Sequence, residues 1–267
     1  MDPRLTGLDL KTSLSAIADL VLPRVCTVCG RPLLLQEKYI CVCCLADLPE
    51  THFSILSHNP MADKFNEIIA EDDYEPYAYA AALYYYSTDN NYCRISQALK
   101  YRRDFAGGRF FARMLGRRLA RSPLFADVDL VVPVPLHWTR RWKRGYNQAE
   151  IIAREVATLM GAECWPELLR RTRRTSTQTR LSGEEKRSNV SGAFKIGHAA
   201  PGQGSATVPE PVEGRSASTR GPHHILLIDD VFTSGSTLAA CQKTLRTEFR
   251  AEETRISVAT LAFVGEQ

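Results

Sequence analysis

Residues 225–237 are Ile-Leu-Leu-Ile-Asp-Asp-Val-Phe-Thr-Ser-Gly-Ser-Thr. The four apolar residues predict a strand buried on both faces, and the small polar residues that follow predict the turn at which the chain leaves a parallel sheet. The residues that then open a predicted helix are Thr233, Ser234, Gly235, Ser236 and Thr237. A helix N-terminus presents unpaired backbone N–H groups and a partial positive charge, so this turn is expected to bind a phosphate.

Two acids, Asp229 and Asp230, lie at the carboxyl end of this predicted strand. There, one carboxylate can accept hydrogen bonds from two ribose hydroxyls while the other holds a hydrated divalent ion. Gly235 removes a side chain that would keep a phosphate at a distance. The alternative is a buried strand followed by a solvated N-cap, because Asp, Ser and Thr favour such positions for local reasons. A Walker-type phosphate loop is disfavoured, because no Gly-Lys-Ser/Thr follows the strand.

Strand, loop and helix patterns alternate along the rest of the chain. Further strands are expected at 79–86, 130–134 and 256–263, and helices at 92–100, 109–120, 147–160 and 236–249. Gly107 and Gly108 are expected to separate the first two of these helices. This alternation predicts an α/β fold with a mainly parallel sheet, helices on both faces, and ligands outside the carboxyl ends of the strands.

The chain has 267 residues, 44% of them hydrophobic, and a net charge of +4. No apolar stretch approaches the length of a membrane span or a signal peptide core, so a cytoplasmic protein without membrane insertion is expected. The charge is uneven: residues 94–121 hold nine Lys or Arg against one acid, whereas residues 45–80 hold eight acids against Lys64 alone. Anionic ligands are expected to approach the basic stretch.

Eight cysteines occur in the chain, and five of them fall between positions 26 and 44. Cys26, Cys29, Cys41 and Cys44 form two C-x2-C pairs, a spacing at which four thiolates can close a tetrahedral, structural zinc site. Cys43 is then the spare thiol, although it could replace Cys41 or Cys44. A regulatory dithiol is the competing interpretation.

A second basic segment follows the strand expected at 130–134. Four cations fall within five residues, namely Arg140, Arg141, Lys143 and Arg144, and Gly145 permits close approach of the backbone. Fixed cations would stabilise the charge that develops on a leaving pyrophosphate. The alternatives are a surface loop that binds nothing or a site for a nucleic acid backbone. Lys100 belongs to a third, smaller cationic cluster, for which binding of an anionic ligand and an ordinary solvated segment both remain open.

Three segments outside the expected sheet complete the domain organisation. Residues 1–50 are expected to hold an amphipathic helix and the zinc module, and residues 51–76 an acidic linker with a short helix near 65–70. The α/β domain is assigned to 77–267. It contains a basic segment at 170–192, a candidate lid, and a disordered insertion at about 197–222 that is rich in Gly, Pro, Ser and Ala.

As a set, these motifs resemble the ComF family, which is bacterial and is associated with DNA uptake in natural competence. The matching stretches are 99–102, 133–137, 144–149, 192–194 and 225–237, together with Gln178, Leu181, Arg187, Asn189 and the N-terminal cysteines. The resemblance implies a zinc module joined to a type I phosphoribosyltransferase fold. It places Asp229 and Asp230 on the ribose of phosphoribosyl pyrophosphate (PRPP) and residues 233–237 on its 5-phosphate. The insertion at 197–222 departs from the family pattern.

The leading functional hypothesis is a phosphoribosyltransferase that uses Mg2+ and PRPP. Catalysis is assigned to Asp229, Asp230, Arg140 and Arg144, and PRPP binding also to Lys100, Arg141, Lys143, Gly145 and residues 233–237. The acceptor is undetermined, and a nucleobase or a nucleic acid is considered. The rival hypothesis is an accessory protein that binds single-stranded DNA or a helicase, supported by Trp138, Trp142 and Tyr146 among the basic residues. A third option makes the cysteine module the main interaction surface.

Overall fold

The computed structural model describes residues 24–70, 75–137, 139, 142, 144–172, 192–197 and 222–265. Their strands are β1 Ala80–Tyr85, β2 Leu130–Pro133, β3 Glu163–Cys164, β4 Leu169–Arg171, β5 Phe194–Ile196, β6 His224–Phe232 and β7 Arg255–Phe263. Their helices are α1 Val42–Ala46, α2 Pro60–Ile69, α3 Cys93–Tyr101, α4 Phe105–Ala120, α5 Gln148–Met160 and α6 Ser236–Leu245. A 3-10 turn spans Phe53–Ile55. The expected N-terminal helix, residues 173–191 of the candidate lid and most of the insertion lie outside the described residues.

A five-stranded sheet with the order β1-β7-β6-β2-β3 forms the centre of the fold, and every neighbouring pair in it is parallel. The predicted α/β fold with a mainly parallel sheet is thereby confirmed. The central strand β6 carries the apolar run that dominates the sequence, and its residues 225–228 are fully buried. β4 and β5 form a separate antiparallel pair.

Helices cover both faces of the sheet, because successive side chains of β6 alternate between two hydrophobic clusters. Leu226 and Ile228 pack in a cluster with residues of α4 and α5. Ile225 and Leu227 pack in the other cluster, with residues of α2 and α6. Asp229 and Asp230 follow in the same strand, so they continue this alternation and point to opposite faces of the sheet.

The two glycines expected to separate α3 from α4 lie inside α4 instead. α4 begins after its N-cap Asp104, whose Oδ1 accepts a hydrogen bond from the Gly107 amide at 2.9 Å. A Cβ atom at Gly108 would lie 2.5 Å from Leu99 Cδ1 of α3. The prediction was wrong because Gly107 leaves room for the capping carboxylate of Asp104 and Gly108 lets α3 approach closely, roles that local sequence does not distinguish from a helix break.

The segment expected to be an acidic linker contains α2, which starts earlier than the predicted helix. Asn59 caps α2, with its Oδ1 accepting from the amides of Met61 and Ala62 at 3.1 and 3.0 Å. Met61, Phe65 and other apolar residues of α2 are buried against the sheet. The division of the chain at residues 50 and 76 stays a prediction.

The cysteine segment is continuous with the main core in the described part of the chain. Val28, Ile40 and Cys41 belong to the same hydrophobic cluster as α4 and α5. The ring of Tyr39 lies 5.5 Å from that of Phe110 on α4, measured between centroids. Among the described residues, no helix has the length and apolar character that crossing a membrane requires.

Candidate functional site

The turn after β6 and the first turn of α6 line a shallow, open concavity. Its lining includes all five residues of the predicted phosphate turn, 233–237, together with Asp229. Gly235 is the N-cap of α6, and no side chain caps this helix end. The N–H groups that begin a helix have no partner within it, so they are available to an anion in the concavity.

Gly235 is required here for a reason other than the one expected from sequence. Its φ angle is +76°, in the region that favours glycine. A Cβ atom at this position would lie 2.8 Å from Cζ of Phe232 and 3.0 Å from Cδ1 of Ile68. Its direct neighbours would thus be two side chains of the core, and the glycine allows the turn to pack against α2.

The two acids of the motif have different surroundings. Asp230 forms an ion pair in which Oδ2 lies 2.9 Å from Nζ of Lys100, the cation near the C-terminal end of α3. Both side chains are largely buried, with exposed fractions of 12% and 26%. Asp229 instead borders the concavity, and its Oδ1 accepts a hydrogen bond from the Asp230 amide at 2.8 Å. The structure therefore brings Lys100 to the diacid motif, 129 positions before Asp229 in the chain.

Burial and neighbouring charges shift the pKa values of Asp229 and Lys100. Burial, and next the neighbouring charge of Asp230, raise the pKa of Asp229 to about 7. Burial alone would lower the pKa of Lys100, but its contact with Asp230 outweighs that effect and raises it. Lys100 is therefore charged near neutral pH, whereas Asp229 changes its protonation there.

The predicted pyrophosphate segment is described only in part, since Arg140, Arg141 and Lys143 lie outside the described residues. The guanidinium of Arg144 lies over the ring of Tyr101, 5.4 Å from its centroid. Gly145 has a φ angle of +83°, which explains the need for glycine at this turn. The hydroxyl of Tyr146 donates to the carbonyl of Leu99. These contacts bring the segment to the end of α3 that carries Lys100.

Asn147 has a structural role at the start of α5. Its Oδ1 accepts from the Ala149 amide at 3.2 Å, and its Nδ2 donates to the carbonyl of Val134 at 3.0 Å. The next side chain, Gln148, is buried, and its Nε2 has no hydrogen-bond partner among the residues that the structure describes. Asn147 thus holds the helix against the end of β2.

The four predicted zinc ligands, Cys26, Cys29, Cys41 and Cys44, come together. All their Sγ atoms lie within 4.8 Å of one another, and those of Cys29 and Cys41 are 3.8 Å apart. Four sulfurs at about 2.3 Å from a tetrahedral zinc lie about 3.8 Å from each other, so the cluster fits this metal. Cys43 is outside it: its thiol is exposed and accepts from Arg31 Nη2 at 3.4 Å.

Backbone groups support the cluster. Burial by itself would raise the pKa of the Cys26 thiol, but N–H groups of neighbouring residues outweigh burial and lower it to about 7. The module is also attached to α3: the Tyr92 hydroxyl donates to the Cys44 carbonyl at 3.0 Å, and Arg94 Nη1 donates to the Val28 carbonyl at 3.0 Å. Thiolate character and a fixed backbone both favour metal binding.

Two cations near the motif were missed by the sequence analysis. Lys64 of α2 donates from Nζ to the carbonyl of Thr233 at 2.9 Å. Arg171 of β4 is close enough for its charge to lower the pKa of Asp229 slightly, against the larger effects of burial and Asp230. Neither residue stands in a recognisable motif. Lys64 had one signal in the sequence, as the single cation of an acidic segment.

A chain of hydrogen bonds joins Asp127, His224 and Ser257 at the opposite edge of the sheet. His224 Nδ1 lies 2.7 Å from Asp127 Oδ1, and Nε2 lies 2.8 Å from Ser257 Oγ. Ser257 is fully buried and also accepts from the Tyr79 amide at 3.2 Å. Since no substrate can reach the Ser257 hydroxyl, these hydrogen bonds have a structural role. The imidazole of His224 connects β6 and β7 to the loop before β2.

Known proteins similar to this chain come from bacteria. No protein-family model matches the chain. It is 29% identical over 153 residues to competence protein F of Haemophilus influenzae, a match that covers 56% of the chain and 59% of that protein. It is 26% identical over 241 residues to the DNA utilization protein YhgH of Escherichia coli, covering 82% of the chain and 89% of that protein. The YhgH protein of Salmonella typhimurium is also 26% identical, over 237 residues, with the same coverage.

Proposed function

With the resemblance to the ComF family confirmed by these relatives, we propose that the chain binds PRPP with Mg2+ and transfers its phosphoribosyl group, releasing pyrophosphate. We propose further that this activity serves DNA uptake or DNA utilization, as the names of the relatives suggest for those proteins. The acceptor belongs to the same proposal, as a nucleobase or a base within a nucleic acid.

The observation that carries the proposal is the grouping of the turn 233–237, Asp229 and the Asp230–Lys100 pair at the carboxyl edge of one parallel sheet. A phosphate in the concavity would accept hydrogen bonds from the first N–H groups of α6 and from the hydroxyls of the turn. A ribose beside it would then lie next to Asp229. In this proposal the turn takes the phosphate, Asp229 the sugar, and Lys100 a second anionic group of the same ligand.

The residues present also fit a magnesium ion. Carboxylate oxygens are the donors that Mg2+ prefers, and because the two acids point to opposite faces of the sheet, one of them would hold the ion while the other holds the ribose hydroxyls. The Lys100 ammonium already lies 2.9 Å from Asp230, so this edge of the sheet stabilises a positive charge. When bound with PRPP, the ion would neutralise part of the pyrophosphate charge. No other protein ligand for it is needed, because magnesium usually retains water and phosphate oxygens.

In the proposed reaction, the bond from C1 of the ribose to the pyrophosphate oxygen breaks, and its electron pair leaves with pyrophosphate. A nucleophilic atom of the acceptor forms the new bond to C1 and loses its proton. Asp229 holds the ribose hydroxyls, and Lys100, Arg144 and the cations 140–143 stabilise the departing charge. Positioning and charge stabilisation supply the rate, so no nucleophilic side chain is needed.

The experiment is a measurement of pyrophosphate release from PRPP and Mg2+ with nucleobases and oligonucleotides as acceptors. Asp229→Asn and Asp230→Asn should each lower the rate at least tenfold, because an amide cannot replace a carboxylate toward a metal or two hydroxyls. Asp89→Asn, in an exposed loop, is the matched control and should react as the wild type does. Turnover that persists in the double variant Asp229→Asn/Asp230→Asn would exclude the proposal.

Single-stranded DNA binding is the second candidate function, and it is favoured by two exposed aromatic rings beside basic residues. Tyr101 and Trp142 are 71% and 86% exposed, and Arg144 lies over the Tyr101 ring. Bases can stack on such rings while the cations contact phosphates. Tyr146, which the sequence had also suggested for stacking, packs edge-on against Phe105 and is less available.

A competition experiment separates the two functions. Binding of a labelled oligonucleotide should weaken on raising the salt concentration, and Tyr101→Ala or Trp142→Ala should reduce it by roughly tenfold, since one stacked base contributes about 1–3 kcal/mol. Both variants should keep PRPP binding, because neither ring belongs to the concavity. If PRPP displaces the oligonucleotide, the two ligands share the basic segment. DNA binding that is unchanged in both variants would exclude this surface.

A further inference from the structure

Among the described residues, those that line the concavity after β6 include no cation for the charge that it is proposed to bind. Its lining residues include one ionisable side chain, and this is the acid Asp229. A phosphomonoester carries close to two negative charges at neutral pH, whereas a helix N-terminus supplies about half a positive charge. The turn alone would therefore hold a dianion beside a carboxylate with most of its charge uncompensated.

Lys64 lies where this charge is needed. Its ammonium donates to the carbonyl of Thr233, the first residue of the phosphate turn, at 2.9 Å, and the side chain is exposed. Ile68, one helical turn further along α2, lies next to Gly235 in the same turn. The face of α2 that carries Lys64 and Ile68 therefore flanks the concavity. An ammonium has three N–H donors, so the bond to Thr233 leaves two for a ligand.

The helix α2, which carries Lys64, is held in place at both ends, so the backbone of Lys64 cannot shift easily. Near the start, Asn59 Nδ2 donates to the carbonyl of Ala80 at 3.0 Å. Near the end, Asn66 exchanges two hydrogen bonds with Ala78, at 2.8 and 2.9 Å. Between them, Phe65 is fully buried. Only the flexible side chain of Lys64 has to move for its ammonium to contact a phosphate.

We propose that Lys64 is the cation that binds the terminal phosphate of the ligand, a phosphomonoester dianion on a pentose. This inference rests on the proposed function, because it assigns the phosphate of the same ligand to the concavity. It gives α2 a part in ligand binding, although this helix belongs to a segment that the sequence suggested was a linker. It also separates two groups of cations: Lys64 at the 5-phosphate, and Lys100 with the basic segment at the pyrophosphate.

The test is calorimetric titration of the full chain with three probes: ribose 5-phosphate, ribose and inorganic pyrophosphate. Lys64→Met should weaken ribose 5-phosphate about tenfold, as expected for the loss of one charge-assisted hydrogen bond, and should leave pyrophosphate binding within twofold. The salt dependence of ribose 5-phosphate binding should also decrease, because one ionic contact is lost. Lys243→Met, the same change at an exposed lysine of α6, is the control for net charge and should bind as the wild type does.

The outcomes distinguish this inference from the proposed function. If the wild type binds ribose 5-phosphate and Lys64→Met binds it equally well, or if Lys243→Met loses as much affinity, Lys64 has no such role and the proposed function stands. If the wild type binds neither ribose 5-phosphate nor PRPP, both are wrong. A second readout does not depend on a variant: ribose 5-phosphate, but not ribose, should reduce labelling of Lys64 by an amine reagent, measured by peptide mass spectrometry. Equal labelling with both sugars would contradict the inference.

Discussion

The same substitution at two adjacent positions, Asp229→Asn and Asp230→Asn, should change stability in opposite directions at pH 8. Asp229 carries a buried charge next to the like charge of Asp230, and its pKa is raised from 3.8 to about 7. An acid whose pKa is higher in the folded state binds its proton more tightly there, so stability falls as the pH rises from about 4 to about 7. A neutral amide at this position avoids that loss.

The magnitude follows from the size of the shift. Moving the pKa from 3.8 to about 7 corresponds to at most about 4 kcal/mol at pH 8. Because Asp229 borders an open concavity, water screens part of this energy, and we expect Asp229→Asn to raise the free energy of unfolding by about 1–2 kcal/mol. Asp230→Asn should lower it by about 1–3 kcal/mol, because it leaves the largely buried ammonium of Lys100 without its carboxylate.

Urea unfolding of the zinc-bound chain, followed by circular dichroism at pH 8 and pH 5, measures both effects. The gain of Asp229→Asn should be clearly smaller at pH 5 than at pH 8, because at pH 5 the wild-type carboxyl is protonated in the folded state and only the unfolded state is ionised. Two results would refute the reasoning: a gain as large at pH 5 as at pH 8, or a loss of stability in Asp229→Asn at pH 8. Equal changes in the free energy of unfolding for the two variants would show that Lys100 does not stabilise Asp230 more than Asp229.

Three further measurements address other parts of the fold. Gly235→Ala should lower stability by about 2–4 kcal/mol in thermal unfolding, because it combines a positive φ with a close contact, whereas Gly161→Ala, at a positive φ in open space, should lower it by only about 1 kcal/mol. Burial lowers the pKa of His224, so the wild type should lose stability as the pH falls below about 6.5, and His224→Gln should reduce this loss. Metal analysis should give one zinc per chain for the wild type and for Cys43→Ser, and less for Cys41→Ser, since only the latter thiol is in the cluster; equal zinc in the two variants would contradict the assignment.

Features encoded by neighbouring residues could be predicted from the sequence. The run 225–228 fixed a central strand because only a strand covered on both faces buries four successive apolar side chains. The spacing of the cysteines predicted the cluster because two short C-x2-C turns each bring a pair of thiols together. The choice among Cys41, Cys43 and Cys44 needed the structure, since it depends on which thiols of α1 and its cap face the other pair.

Features that depend on packing between distant segments could not be predicted. Lys64 and Thr233 are 169 positions apart, and their contact exists because the burial of Phe65 places α2 beside the phosphate turn. Gly108 suggested a break because glycine is unfavourable within helices, yet its missing side chain is what lets α3 pack closely against α4. Local propensity predicts neither case, because the deciding partner lies elsewhere in the chain.

One nine-residue helix, α3, physically joins the cysteine cluster to the diacid motif. Its first turn is hydrogen-bonded to the cysteine segment through Arg94, and its last turn supplies Lys100 to Asp230. An excised fragment that starts after residue 50 would lose the first attachment and uncover the ring of Phe110. Ligand affinities measured on such a fragment would refer to a protein in which Lys100 is held less firmly, so binding studies should use material that begins upstream of Cys26 and keeps the cysteine cluster intact.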